Sequence, residues 1–226
     1  MFYDLKYAYL VGDFILFLIW LFFFLRRKDL RKEMLIISLF SAPIGLTQYF
    51  FRADYWQPTY AFSNTIIGLE DILYMFFTGG IIGVIYEEIF GKRLSQRHTR
   101  SHPYLMLLFS VLGLVSLYLG VMILNLNSIY VSSVIFMIIG LITILIRHDL
   151  LWDALYSGVC VCVLTFFVEL IFMALFPNIF ESWWLLQNIS GIFILVIPVE
   201  ELLFASTLGF IAGPMYEFVF GLRLKR

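Results

Sequence analysis

Two pairs of neighbouring acids lie inside strongly apolar stretches of the sequence. Glu70 and Asp71 occur in "GLEDILY", and Glu200 and Glu201 occur in "PVEELLF". A charged side chain at mid-membrane costs about 2.5–3.5 kcal/mol on insertion scales, and such residues usually face a bundle interior or a cavity. A carboxylic acid held neutral in an apolar pocket is a proton donor. The four carboxyl groups are therefore predicted to perform acid–base chemistry, with interhelical hydrogen bonding as the alternative.

Helical geometry divides each pair. Neighbours on a helix point about 100° apart, so both carboxyls of a pair cannot enter one pocket. One member is predicted to face a central cavity and the other to hydrogen-bond a neighbouring helix. Because burial and crowding by like charge both favour the neutral acid, at least one of the four is expected to be protonated at neutral pH. Asp13 and Glu169 are further acids inside apolar stretches.

The acids are unusual because the chain as a whole is strongly apolar and carries few charges. The chain has 226 residues, of which 62% are hydrophobic and 14% charged, and its mean hydropathy is +0.95. Soluble domains are nearer half apolar and a quarter charged. An integral membrane protein is predicted, all-α and formed as one compact bundle. Cys160 and Cys162 lie in one apolar stretch, and their spacing supports neither a disulfide framework nor a metal site.

Seven apolar stretches are long enough to cross a bilayer as helices. The polar connections between them alternate between basic and nearly uncharged, and by the positive-inside rule the basic ones are cytoplasmic. The N-terminus is thus predicted outside the cell membrane and the C-terminus inside. The predicted spans are 5–25, 34–51, 66–90, 104–124, 130–147, 153–176 and 186–220, the last including an interfacial segment.

The sequence repeats internally. Residues 68–94 align without a gap to residues 198–224, an offset of 130 (198 minus 68). This predicts two parallel three-helix repeats, 1–94 and 129–226, joined by a linker helix in 95–128. An odd number of helices per repeat needs such a linker if both repeats are to share one orientation. The repeats are then expected to be related by an axis along the membrane normal.

Two other repeated features are interpreted as structural. Gly79 and Gly83, like their equivalents Gly209 and Gly213, lie on one helix face and predict close helix packing, with packing of the third helix against the seventh as one arrangement. Glu87 and Glu217 fall at the cytoplasmic ends of their helices. Interfacial anchoring and loop pairing account for these two acids, so replacement by glutamine is expected to leave activity intact.

Several functional classes are disfavoured. The lysines all lie in loops or at the ends of the apolar stretches, which excludes a retinal Schiff base. The histidines all lie in basic loops, so no metal site is expected, and no aspartate-rich pair for a magnesium diphosphate is present. No cofactor and no nucleic-acid partner is therefore predicted. The lysines are Lys6, Lys28, Lys32, Lys92 and Lys225, and the histidines are His98, His102 and His148.

The repeated Pro-x-Glu-Glu/Asp box that opens a membrane helix in each half resembles the heterodimer-type lycopene cyclases. These are small membrane proteins found as two subunits in some bacteria and fused in archaea and fungi. "PVEELLF" matches the box, whereas "GLEDILY" has Gly68 in place of proline. The seven spans with a linker helix are similar to the fused form.

The resemblance implies a carotenoid cyclase that forms ionone-type end rings without redox change, acting on lycopene or a related acyclic polyene within the membrane. Glu200, and after it Glu70, would be the acid or base, with Glu201 and Asp71 as partners; Glu200→Gln is expected to lower cyclisation at least about 10²-fold. Association with other enzymes of the carotenoid pathway is an open hypothesis. The residues expected to contact substrate are Tyr74, Phe77, Phe204, Thr207 and Pro198.

Two other classes of function remain open. A carotenoid or lipid transporter would use the carboxyls to relay protons or bind ions, and it would respond to a gradient. A non-catalytic assembly subunit would use them as interhelical hydrogen-bonding groups. A cyclase differs from both because it works in detergent with substrate alone.

The loop charges make the first testable prediction. Residues 52–65 and 177–184 form nearly uncharged loops and should face outside. Residues 91–103 form a loop rich in Lys and Arg and should face the cytoplasm. Single cysteines introduced into a chain free of Cys160 and Cys162 can be labelled in intact cells. An impermeant reagent that reaches position 97 from outside would contradict the predicted orientation.

Overall fold

The computed structural model describes residues 5–62, 65–96 and 101–225. Position 97 and His98 lie outside the described residues. Within the described residues the architecture is all-α, with seven helices long and apolar enough to cross a membrane, as predicted. They are α1 (Leu5–Arg26), α2 (Arg31–Asp54), α3 (Leu69–Phe90), α4 (Pro103–Ile123), α5 (Ser128–Ile146), α6 (His148–Leu175) and α7 (Val199–Phe220).

The last membrane helix is shorter than predicted. It begins at Val199, whereas the apolar pattern extends back to residue 186. A short helix, Ile179–Trp183, follows α6. The chain then forms a hairpin whose strands, β2 (Phe193–Ile194) and β3 (Ile197–Pro198), pair antiparallel. Hydropathy alone cannot separate such an apolar hairpin from a helix, because both bury apolar side chains.

Helices α3 and α7 share an internal break. Helix α3 consists of Leu69–Ile82 and Ile85–Phe90, and α7 consists of Val199–Ala212 and Met215–Phe220. Both end at a left-handed glycine, which an L side chain would rarely tolerate. The breaks lie at Gly83–Val84 and Gly213–Pro214, and the terminal glycines are Gly91 (φ 62°) and Gly221 (φ 66°).

Equivalent arginines make the same contact within each half, at one end of the bundle. Arg27 donates to the backbone carbonyl of Glu87 at 2.7 Å, and Arg147 donates to that of Glu217 at 3.3 Å. Strands β1 (Arg93–Gln96) and β4 (Leu222–Lys225) pair antiparallel beside them. These paired contacts agree with the internal repeat, while the axis that relates the repeats stays a prediction.

The two ends of the bundle differ in chemistry. We call the end that carries Arg27 and Arg147 the basic end, and the opposite end, formed by residues 55–62 and 176–198, the aromatic end. At the aromatic end one apolar core combines Tyr9 and Tyr55 with Ile179 and Trp183, which come from both halves of the chain. This shared core joins the halves directly.

The repeated glycines pack against helices of their own halves. A Cβ added to Gly79 would collide with Ser41 of α2, and one added to Gly209 would lie 2.7 Å from the carbonyl oxygen of Ser157 in α6. The arrangement in which these glycine faces of α3 and α7 meet each other is therefore wrong. Each face instead lets one neighbouring helix approach closely.

The interfacial interpretation of Glu87 and Glu217 is also wrong. The two side chains are 1% and 0% exposed, respectively. Glu87 and Glu217 do lie in the last turns of their helices. Both side chains nevertheless face neighbouring helices, where they interact with the acids Glu33 of α2 and Asp153 of α6. The position of a residue along its helix predicts how deep the residue lies in the membrane. It does not predict whether a neighbouring helix packs over that residue's side chain.

The tight contact at Gly209 generates a prediction. Gly209→Ala should lower the unfolding free energy by roughly 1–3 kcal/mol, the usual cost of overpacking, although alanine is the better helix former. Gly113→Ala is the matched control, since its Cβ would meet Ile135 at an ordinary 3.7 Å. Thermal unfolding in detergent measures both, and equal melting temperatures for the two variants would contradict the packing.

Candidate functional site

A large apolar cavity lies between the seven helices. Its volume is about 600 Å³, and all seven helices contribute to its wall. A cavity of this size is within the range of small-molecule sites, which are mainly apolar with a few placed polar groups. The acids that line it are Asp71, Glu169 and Glu201. The site is built around these three carboxyls.

Asp71 is held at the first turn of α3. Its Oδ2 accepts from the backbone N–H of Gly68 at 2.7 Å, and its Oδ1 accepts from the hydroxyl of Tyr9 in α1 at 3.0 Å. The first bond is one that a helix N-terminus offers to an acid three residues after the cap. Asp71 is 2% exposed, so both donors act in a poorly hydrated setting.

Glu201 is held in the corresponding place on α7 by aromatic donors. Its Oε1 accepts from the Tyr55 hydroxyl at 2.7 Å and from the Trp184 indole N–H at 2.5 Å. Burial, together with the nearby Glu201, raises the pKa of Tyr55. The phenol therefore stays protonated and serves as a permanent hydrogen-bond donor to the carboxyl.

Glu169 of α6 lies beside Glu201, and the two carboxyl groups interact. A hydrogen bond between two carboxyl groups needs one proton, because two carboxylates offer only acceptors. Like charges at this distance in an apolar setting favour a state with one neutral acid and one carboxylate. The Glu169–Glu201 pair thus places a proton donor beside a proton acceptor in the cavity wall.

Glu70 and Glu200 point elsewhere and tie loops to helix starts. The backbone N–H of Ala61 donates to Glu70 at 2.8 Å. Glu200 accepts from the Tyr130 hydroxyl at 2.5 Å and from the backbone N–H of Ser190 at 2.8 Å. Neither acid is among the described residues that line the cavity. In each pair it is the second acid that faces the cavity.

Aromatic rings connect the two carboxyl sites. Trp56 lies between them, with its ring centroid 5.2 Å from that of Tyr9 and 5.2 Å from that of Trp184. Trp183 packs against Trp56 at 6.1 Å. Ring faces attract cations, most strongly for tryptophan. The wall between Asp71 and Glu201 is therefore suited to a positively charged intermediate.

The predicted substrate contacts divide into two groups. Tyr74 and Phe204 line the cavity, and Phe204 packs against Phe136 at 5.5 Å. The other three are not among the described lining residues. Phe77 packs against Phe17, Thr207 donates to the carbonyl of Leu203, and Pro198 precedes α7 as its N-cap.

Sequence reasoning gave no role to Tyr9, Tyr55, Trp56 or Trp184, and left that of Glu169 open. The aromatic-rich connections "DYWQPTY" and "FESWW" were a usable signal, because tyrosine and tryptophan carry donors that a buried carboxyl needs. Pairing them with particular acids requires the tertiary structure. Tyr55 and Glu201, for example, are 146 positions apart in the chain.

Comparison with known proteins gives a family match for part of the chain. Residues 127–219, which span all of α5 and α6 and all but the last residue of α7, match the family model described as lycopene cyclase. This part of the chain is similar to the lycopene cyclase family. The match supports a carotenoid cyclase as the function of this membrane protein. No curated protein and no solved structure matches the chain. The matched region contains Glu169, Glu200 and Glu201.

The position of the cavity makes a prediction about carotenoid binding. Leu208 of α7 lines the cavity, whereas Leu203 on the same helix is 44% exposed. Leu208→Trp should fill part of the cavity and lower the carotenoid that co-purifies per chain several-fold. Leu203→Trp adds the same volume on an exposed face and should bind normally. Pigment absorbance relative to protein measures the ratio, and equal binding by both variants would contradict this cavity as the binding site.

Proposed function

We propose that this protein is a carotenoid cyclase that closes the end rings of lycopene, or of a closely related acyclic carotenoid, by intramembrane acid–base catalysis without redox change. The observation that carries this proposal is the neighbouring pair of carboxyl groups, Glu169 and Glu201, in the wall of an apolar cavity. The pair joins a neutral acid to a carboxylate beside the rings that can stabilise a cation. The reaction is an isomerisation, so the product has the formula of the substrate.

The proposed reaction has three steps. The neutral acid of the pair transfers its proton to the terminal C=C bond of the polyene, which leaves a tertiary carbocation. The electrons of a C=C bond further along the chain then form the ring C–C bond, and the positive charge moves into the ring. Finally a carboxylate removes a proton from a ring carbon, and that C–H electron pair becomes the ring double bond. One proton enters and one leaves.

The cavity contacts favour Glu201 over Glu200 as the acid of the second half. Glu200 is occupied by Tyr130 and by the backbone of Ser190, and this role is structural. Glu201 combines access to the cavity with a carboxyl partner. Asp71, held in the cavity wall by its two donors, would stabilise the carbocation from the other side of Trp56.

Exclusion of water is required by the chemistry. A carbocation that met water would be captured as an alcohol, and a carboxylic acid in bulk water would lose its proton to the solvent. The apolar cavity wall limits both reactions, and the rings of Trp56 and Trp184 supply cation–π stabilisation that desolvation strengthens. The proposed orientation, with the basic end cytoplasmic, puts the carboxyl site near the outer side of the membrane.

The proposed acid–base pair predicts which glutamates are required. Glu201→Gln and Glu169→Gln keep the side-chain size but remove the acid, so cyclisation should fall at least about 10²-fold. Glu200→Gln keeps an acceptor for Tyr130 and should lose much less activity. The control is Glu181→Gln, since Glu181 is exposed and outside the described cavity lining. Expression in a lycopene-accumulating bacterium, followed by pigment chromatography, measures conversion.

Pigment chromatography of a reaction with purified protein tests the alternatives. Conversion by purified protein in detergent, without any gradient, distinguishes a cyclase from a gradient-coupled transporter. Wild-type rates in well-folded Glu169→Gln and Glu201→Gln variants would remove the chemistry from the proposal. Both carboxyls would then be interhelical hydrogen-bonding groups.

A further inference from the structure

A second group of acids is buried at the basic end, away from the cavity carboxyls. Glu33 of α2, Glu87 of α3, Asp153 of α6 and Glu217 of α7 are 1%, 1%, 2% and 0% exposed, respectively. We call these four residues the acid cluster. They come from four helices and from both halves of the chain, and the proposed cyclisation uses none of them.

The oxygens of the acid cluster converge. One carboxylate oxygen each from Glu87, Asp153 and Glu217 lie within 4.8 Å of one another. Glu33 interacts electrostatically with all three. Both oxygens of Glu33 and both of Glu217 are buried without a hydrogen-bond partner among the described residues. Such orphaned carboxyl oxygens are costly in an apolar interior unless a positive ligand or a proton satisfies them.

The nearby arginines do not neutralise these carboxyls by direct pairing. Among the described residues, the ion pairs of Arg27 are with Asp29 and Glu88, and that of Arg147 is with Asp149. The Ser157 hydroxyl donates to one oxygen of Asp153 at 3.1 Å and leaves the other unpartnered. The cluster thus presents several negative oxygens that face one another.

We propose that the acid cluster is a binding site for one divalent cation of the size and preference of Ca²⁺. Two oxygens bound to the same Ca²⁺ at about 2.3–2.6 Å can be at most about 5 Å apart, which the observed spacing satisfies. Carboxylate-only ligands select hard cations and not thiolate- or imidazole-preferring metals. Mg²⁺ needs shorter distances and keeps several waters, so a dry cage of this spacing suits it less.

The site revises the expectation of no metal, which rested on the absence of histidine from the apolar stretches. A hard cation needs no histidine. The cation would connect α2 and α3 of the first half to α6 and α7 of the second. It would thereby cross-link the halves at the end opposite the shared aromatic core.

The experiment measures binding by the full-length protein in detergent after chelator treatment and dialysis. Equilibrium dialysis with ⁴⁵Ca²⁺, and Mn²⁺ titration followed by electron paramagnetic resonance, should each give about one site per chain. Glu87→Gln and Glu217→Gln should weaken binding at least about tenfold, by analogy with losses at metal sites. Glu181→Gln removes an exposed acid at the aromatic end and should bind as the wild type does.

Thermal unfolding provides a second readout that does not depend on cyclase activity. Ca²⁺ should raise the melting temperature of the wild type and of Glu181→Gln, because a ligand that binds only the folded state stabilises it. It should not raise that of Glu217→Gln. Asp153→Asn gives the same test if either glutamate variant fails to fold.

Two results would overturn the proposal. One is the absence of saturable Ca²⁺ or Mn²⁺ binding by the wild-type protein up to millimolar concentrations, which means that protons alone satisfy the cluster. The other is unchanged binding by a folded cluster variant, which means that the cation sits elsewhere. Neither measurement involves carotenoid. A negative result for cation binding therefore does not contradict the proposed cyclase mechanism, and a negative result for cyclisation does not contradict the cation site.

Discussion

The cost of holding carboxyl groups in an apolar bundle is the constraint on which this structure depends. Each buried acid must find a donor, a proton or a cation. At the aromatic end Tyr9, Tyr55 and Trp184 supply the donors, and in our proposal the Glu169–Glu201 pair holds one proton. Among the described residues, the acid cluster at the basic end has no comparable set of donors. Buried carboxyl groups are thus stabilised differently at the two ends. The donors at the aromatic end suit acid–base catalysis, and the acid cluster at the basic end suits a bound cation.

The repeated acid pairs show how one helical turn can serve structure and chemistry together. The first acid of each pair accepts a backbone N–H from the preceding loop, at Ala61 or Ser190. The second, about 100° around the helix, reaches the cavity. The loops that Glu70 and Glu200 fasten also carry or adjoin the aromatic side chains of the site. Loss of the first acid should consequently disturb the position of the second.

The sequence predicted much of the fold and less of the site, for physical reasons. Seven membrane helices follow from hydropathy, because length and apolarity suffice to identify them. Which member of a pair faces the cavity depends on how each helix is rotated against its neighbours, and the packing of Gly79 on α2 and Gly209 on α6 determines that rotation. The burial of Glu87 was missed because the groups that cover it lie on other helices.

The proton balance of the proposed reaction suits a cavity that excludes water. Cyclisation consumes one proton and releases one, so no net exchange with the solvent is needed in a turnover. If the carboxylate of the Glu169–Glu201 pair takes the released proton, the pair again holds one proton and is ready for the next end group. A hydrogen bond between the two carboxyls would allow that proton to reside on either residue. A dry cavity, which would hinder an enzyme that must reload its acid from water, is then compatible with repeated turnover and protects the cation throughout.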